Sequence, residues 1–573
     1  MTTPAAPSHG SDVPDAARAI TRTLPTGWRV ATVAVPAVFF AVLFVWPVGT
    51  IIATGLTEAG AGGDALDVLL APTTRRVLWF STWQAVLSTV LTLAVGLPGA
   101  WLVARVDVPG RTLFRAAVTV PFVLPTVVVA SAFTGLLGSG SPVMAWIAGL
   151  FGLDAPPRLT QTLAAVLLAH VFFNVAVVVR TVGGRWSNLD PRLVRAARSL
   201  GASPWQAFRT VTLPLLRPAI TAASAITFLF TFTSFGIVLI LGAPGMATLE
   251  VAIYRATAQL LDLPQASTLA LLQVVAVAAA LLVNARLGRD RAGSSGITTA
   301  AHRGLQRPRG LQWAGVGATV LLMAVVIGLP IAVLVERSLA TADGHSLAWY
   351  RALADTDSVL AVAPWEAVRT SLVFAVAAAA VATVVGGAAA VAITRRRRST
   401  WGRAFDLLLM LPLGVSAVTV GFGFLITLDT PPLDLRASPI LVPLAQALVA
   451  IPFVVRILVP ALEAIDDRLR QAAAVLGASP TGTWRHVDLP ILFRSATVAA
   501  GFAFAISLGE FGATVFIARA TSPTIPVAIY RLLGQPGAIN LGRAMAMSCI
   551  LMVVTIVVVA AVDRLRVADL GAF

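Results

Sequence analysis

Two closely similar polar segments hold most of the residues that could recognise a partner in this 573-residue chain. The first reads LDPRLVRAARSLGASPWQAFRTVTLPLLRP, Leu189 to Pro218. The second reads IDDRLRQAAAVLGASPTGTWRHVDLPILFR, Ile465 to Arg494. Gly201 matches Gly477 and Pro214 matches Pro490, both at an offset of 276 (477 − 201 and 490 − 214). Each copy carries A-A-x-x-x-G-A-S-P and closes on L-P before a new apolar run. Ala196, Ala197 and Ala202, repeated as Ala472, Ala473 and Ala478, would let another backbone approach closely. Arg195 stands among further arginines, and Gln471 takes its place in the second copy. This is docking chemistry rather than bond-making chemistry.

A second set of polar residues lies inside apolar stretches, where ionisable groups are costly and often functional. Glu510 in SLGEFG is the strongest, and Ser234 is its counterpart in the first copy. His170 and Asn174 are i, i+4 on one helical face, with Gln446 equivalent to His170. They could line a pathway or bond helices together. No second ligand stands at metal-binding spacing from His170, so no metal site is expected.

Composition names the element type that must position these groups. Hydrophobic residues make up 57% of the chain and charged residues 12%, with mean hydropathy +0.87. A soluble domain carries about 25% charge. Apolar runs of roughly 20 residues recur and can each cross a bilayer as a helix, the form that satisfies its own backbone in lipid. The expected fold class is an all-α integral membrane protein. It should have about twelve transmembrane helices in two parallel six-helix repeats.

The spans are expected near 30–53, 81–104, 117–137, 161–182, 217–241 and 265–285 in the first half. In the second they are expected near 312–335, 367–393, 405–428, 438–460, 494–518 and 541–563. The domains follow: a polar, disordered cytoplasmic tail over 1–28, a first repeat over 29–285, a basic linker over 286–311 and a second repeat over 312–573. The two docking loops span 183–216 and 461–493. LAHVFFNVAVVVR (Leu168–Arg180) over LAQALVAIPFVVR (Leu444–Arg456), and Phe235-Gly236 over Phe511-Gly512, extend the repeat at the same offset.

All 42 basic residues are arginine, and the net charge is +16. They concentrate in short loops between spans, including Arg395–Arg398. The positive-inside rule therefore explains them better than nucleic-acid binding does, with both termini cytoplasmic. Without lysine the chain cannot hold a P-loop. The lone Cys549 allows no intrachain disulfide and no cysteine-based zinc site. Trp79, Trp83, Trp101 and Trp365 fit interfacial anchors better than an aromatic cage for a solute. Pro98, Pro121, Pro125, Pro412 and Pro452 are expected to kink helices.

Within each docking loop a short helix should reverse at Gly201 or Gly477. A second should start at Ser203-Pro204 or Ser479-Pro480, with serine as N-cap and proline at the first helical position. Pro214 and Pro490 are expected to end it. This pattern resembles the E-A-A-x-x-x-G-x9-I-x-L-P coupling loop of type I ABC importer permeases. The chain departs from it at Arg195 and Gln471 (the acidic position) and at Val211 and Val487 (the isoleucine).

The resemblance covers about residues 75–285 and 365–563. Fused double permeases of this kind are similar to thiamine and ferric-iron importers. LLAHVFFN, ATLEVAIYRA, ASTLALLQ and SLGEFG are nearer the thiamine type. The resemblance implies a permease without its own ATPase site in a bacterial inner (plasma) membrane. It implies two copies of a cytoplasmic ABC ATPase holding ATP and magnesium, an extracytoplasmic solute-binding protein, and a cationic solute that Glu510 would attract. The rival readings are a twelve-span secondary transporter and a non-transporting membrane scaffold.

Overall fold

The computed structural model describes residues 26–62, 64–289, 305–356, 359–396, 399–429, 433–435 and 438–570. Most of the expected tail and much of the linker lie outside them, as do Arg397 and Arg398. Among the described residues, eleven helices are long and apolar enough to cross a membrane. A twelfth span is the pair Thr400–Pro412 and Ala417–Thr427, bent by 91°. The first half holds Val30–Gly55, Pro72–Arg105, Thr126–Phe151, Leu163–Ser187, Pro204–Phe232 and Leu263–Val283, numbered here spans 1 to 6. Spans 7 to 12 are Gln312–Leu339, Pro364–Arg396, the bent pair, Leu441–Glu463, Pro480–Gly509 and Ala538–Leu565. The chain is an all-α integral membrane protein of two six-span repeats.

Several boundaries differ from expectation. Span 3 starts at Thr126 rather than near 117, after a separate helix Arg111–Val123. Leu124 is extended because Pro125 excludes the helical region for the residue before it. Spans 5 and 11 end at Phe232 and Gly509 instead of running to 241 and 518. Each is followed by a chain break and a short helix, Gly236–Leu241 or Thr514–Ile517. Pro214 and Pro490 end no helix. A π-helical turn, Phe208–Thr212 or Trp484–Asp488, joins each docking helix directly to its span. The wider turn accommodates a proline that has no N–H to offer the ladder. Pro98 and Pro452 also sit inside unbroken helices.

The halves interlock through their first spans. Phe40, Leu43 and Phe44 of span 1 are buried in one core with Ala378 of span 8, Phe424 of span 9 and Leu448 of span 10. A Cβ on Gly423 would come within 2.9 Å of Pro47, so glycine there permits the crossing. Span 7 goes the other way. Met323, Ile327 and Leu334 join the core of the first half, and Arg337 donates to the Gly140 carbonyl at 2.9 Å. Ser548 of span 12 donates to Ser131 of span 3 at 2.9 Å.

Candidate functional site: docking knuckles and an aromatic seam

Each docking loop folds into two short helices joined by a left-handed glycine. In the first, Pro191–Ser199 is capped by Asp190, whose Oδ1 accepts from Arg192 N at 2.8 Å. Gly201 has φ +90°, Ala202 N donates to Ala197 O at 3.1 Å, and Gly201 N donates to Arg198 O at 3.0 Å. The second copy repeats this over Asp467–Val475, with Gly477 at φ +82° and Ala478 N donating to Ala473 O at 3.0 Å. This is the Schellman ending, which satisfies the last carbonyls of a helix. Ser203 then forms a capping box with Gln206, and Ser479 accepts from Gly482 N at 3.1 Å.

The fold leaves a large apolar tip exposed on each knuckle. Leu200 is 89% exposed, and Val475 and Leu476 are each 87% exposed. Arg195 and Ala196 are exposed beside Gly201, as are Ala472 and Gly477 in the second copy. Ala197, Ala202, Gln471, Ala473 and Ala478 are half-buried. Pro214 is half-buried at the root of the first knuckle, and Pro490 is exposed at the root of the second.

The knuckles differ inside. Arg470 donates to Asp467 and to the buried Asp488, each at 2.8 Å. The first copy has Val194, Pro191 and Thr212 at those positions. It holds instead an open cleft of about 580 Å³ against spans 2, 4 and 5, walled by Trp101, Trp186, Trp205 and Phe208 with Arg105, Arg195 and Arg198 at its edge.

At the opposite ends of spans 5 and 11 the halves meet through aromatic rings. Phe235 and Phe511, equivalent by the repeat, stack at 5.4 Å between centroids and 26° between planes. Each lies 5.5 Å from a tyrosine of its own half: Phe235 from Tyr254, and Phe511 from Tyr530. The tyrosines are related by the same repeat offset and meet edge-on at 6.5 Å. Phe516 adds an edge contact to Tyr254 at 5.4 Å. The result is a closed four-ring cluster across the pseudo-two-fold axis.

Equivalent bonds hold the two tyrosine helices in place. Leu249 N, at the start of Leu249–Ala258, donates to Ser81 of span 2 at 3.1 Å. Ile525 N, at the start of Ile525–Leu533, donates to Ser371 of span 8 at 2.7 Å. The amides keep the repeat offset, whereas the serines are further apart in sequence than that offset. The difference reflects a longer path from span 2 to span 4 in the first half, where span 3 carries the additional helical stretch Pro142–Phe151.

Three of the predicted intramembrane residues, Ser234, His170 and Glu510, bond the segments that carry the phenylalanines. His170 bridges Ser88 through Nδ1 at 3.0 Å and Ser234 through Nε2 at 2.8 Å. Thr248 donates to the Ser234 carbonyl at 2.8 Å. These contacts fix the break that carries Phe235. Asn174 donates to the His170 carbonyl at 3.0 Å. Glu510 serves the other break. One carboxylate oxygen accepts from Ala513 N at 2.7 Å, the other from Thr514 N at 3.0 Å and from the Thr514 hydroxyl. Gln446 is buried on span 10, and its Oε1 has no hydrogen-bond partner among the described residues. The structure thus brings Ser234, His170 and Glu510 to the two breaks; the Asn174 bond stays within its own helix and its Oδ1, like Gln446 Oε1, has no hydrogen-bond partner among the described residues.

Sequence reasoning missed Tyr254, Tyr530 and Glu250. The tyrosines carried a signal, since I-Y-R recurs at Ile253–Arg255 and Ile529–Arg531 at the repeat offset. Glu250 carried none. It is buried in the first turn of its helix and accepts from Gln273 at 3.0 Å.

Sequence comparison with known proteins agrees with this architecture. Residues 96–290 match the family described as the binding-protein-dependent transport system inner membrane component. The thiamine transport system permease protein ThiP of Brucella abortus is 29% identical over 531 residues, covering 92% of this chain and 94% of the relative. That of Escherichia coli is 29% identical over 482 residues, covering 81% and 85%. A probable ABC transporter permease of Sinorhizobium fredii, y4fN, is 25% identical over 473 residues, covering 79% and 81%. A solved bacterial alginate importer aligns with TM-score 0.41 and 17% identity, covering 49% of this chain and 100% of its own. With two copies of the same knuckle and two equivalent breaks, the chain has the build of a fused double permease, and over both halves it is similar to the permeases of ABC importers.

Proposed function

We propose that this permease carries thiamine inward, driven by ATP hydrolysis on two partner subunits. Each knuckle seats one ATPase, which binds ATP and magnesium, and a solute-binding protein delivers the solute at the opposite face. The arginine-rich loops support cytoplasmic knuckles and termini. Closure of the ATPase pair and its reversal bias two arrangements of the halves. The observation that carries the thiamine assignment is the 531-residue alignment with a named thiamine permease, which takes in both repeats.

The test is reconstitution. The permease is co-purified with its ATPase, placed in liposomes and supplied with the liganded binding protein. ATP-dependent accumulation of labelled thiamine is expected. Uptake of ferric iron instead, or uptake driven by an ion gradient without ATP, would overturn the assignment.

A further inference from the structure

We propose that the four rings Phe235, Tyr254, Phe511 and Tyr530 are both the seal of the pathway and the surface that recognises the positively charged ring of the solute. The recognition half rests on the thiamine reading, and the seal half does not.

Position argues for the seal. The rings lie on the boundary between the halves, at the ends of spans 5 and 11 remote from the knuckles. Phe235, Tyr254 and Phe511 are 7%, 9% and 3% exposed and Tyr530 is half-buried, so the boundary is closed at the Phe235–Phe511 stack. The phenylalanines stand on chain breaks rather than within helices. The rings can therefore part without unravelling a span. A break held by side-chain bonds is a hinge of the kind seen where backbone irregularity lines a membrane pathway.

Ring chemistry argues for recognition. An aromatic face is negative and its edge positive. Parting the Phe235–Phe511 stack would uncover two faces that a cationic heteroaromatic ring can occupy, gaining both stacking and cation–π attraction. An aliphatic seal would close as well and offer neither. Glu510 precedes Phe511 in the chain and Glu250 lies one helical turn before Tyr254, and both are buried. Arg255 turns away to the Pro244 carbonyl at 3.0 Å.

The experiment compares three double variants in the reconstituted complex at saturating liganded binding protein. Phe511→Leu with Tyr530→Leu keeps apolar bulk but removes ring faces. It should hold the seal and retain ATP hydrolysis, while thiamine uptake per ATP falls about tenfold. Phe511→Tyr with Tyr530→Phe keeps the faces and should stay within about twofold of wild type. Phe511→Ala with Tyr530→Ala should release trapped labelled thiamine without ATP.

Wild-type coupling in the leucine pair, or an equal loss in the aromatic pair, would overturn recognition. A tight alanine pair that still folds and binds ATPase would overturn the seal. If the wild-type complex moves no thiamine, the functional assignment fails. The release assay, run with another trapped small solute, still decides the seal.

Discussion

Phe235 and Phe511 stack face to face at 5.4 Å although they belong to opposite halves of the chain. The contact depends on the residue next to Phe235. A Cβ at Gly236 would lie 2.9 Å from Thr126 Oγ1 and 3.3 Å from the Phe511 ring. Gly236→Ala should therefore push the rings apart and destabilise the protein by about 1–3 kcal/mol through overpacking. A lowered melting temperature, accompanied by leak of a trapped solute, checks this.

Glu510 occupies both of its oxygens with donors from its own segment. Its first role is therefore to position Phe511. Glu510→Gln keeps one acceptor and should cost about 1–2 kcal/mol, whereas Glu510→Ala strands two buried amides and should cost more. Thermal unfolding of the two variants gives the order. Melting points that are equal to wild type in both would remove the positioning role.

Gly201 and Gly477 hold φ values of +90° and +82° with open space around them. Backbone strain, not crowding, is what a substitution meets. Gly201→Val or Gly477→Val should cost about 1–2 kcal/mol locally and undo the Schellman ending. Membrane insertion should be unchanged while ATPase co-purification drops. Retention of full coupled transport in the double variant would show that the knuckles are not the docking points.

Arg470 and Asp488 form a buried pair in the second knuckle, with side chains 19% and 5% exposed. Arg470→Val alone leaves Asp488 buried without its cation and should cost about 3 kcal/mol. Adding Asp488→Thr reproduces the Val194 and Thr212 of the first copy and should recover most of that loss. A double-mutant cycle on thermal stability measures the coupling. Additive losses would show that the pair is not a unit.

Ser81 and Ser371 accept the first amides of the tyrosine helices at 3.1 and 2.7 Å. Ser371→Ala should lower stability by about 1–2 kcal/mol and loosen Tyr530. Amide hydrogen exchange at Ile525 should accelerate, and exchange at Leu249 should not.

The spans and knuckles were legible because each has a strong local cause. Long apolar runs demand helices in lipid, and Gly201 followed by Ser203-Pro204 is readable turn and cap chemistry. What escaped depends on distant partners. Apolar sequence resumes straight after Ser234 and Glu510, so each reads as a lone polar residue within a span rather than as the chain break it stabilises. Pro214 looks like a terminator until the preceding π turn is seen. Asp488 looks like an ordinary loop acid until Arg470 folds onto it. Tyr254 and Tyr530 were visible only by extending the repeat offset through a segment that reads as a loop.

The continuity of span 5 has a mechanical consequence. One helix of 29 residues runs from Pro204 to Phe232, a rod of about 43 Å at roughly 1.5 Å per residue. One end sits in the knuckle, and the other stops at Phe232, just short of Phe235. If the rod pivots about its knuckle end by about 5°, its far end sweeps about 4 Å, on the order of a ring-stacking distance. Span 11 offers the same lever from Pro480 to Gly509. A small angular displacement at the tips would thus be delivered as a stroke large enough to unstack two rings, with no chain of intermediate side chains to relay it.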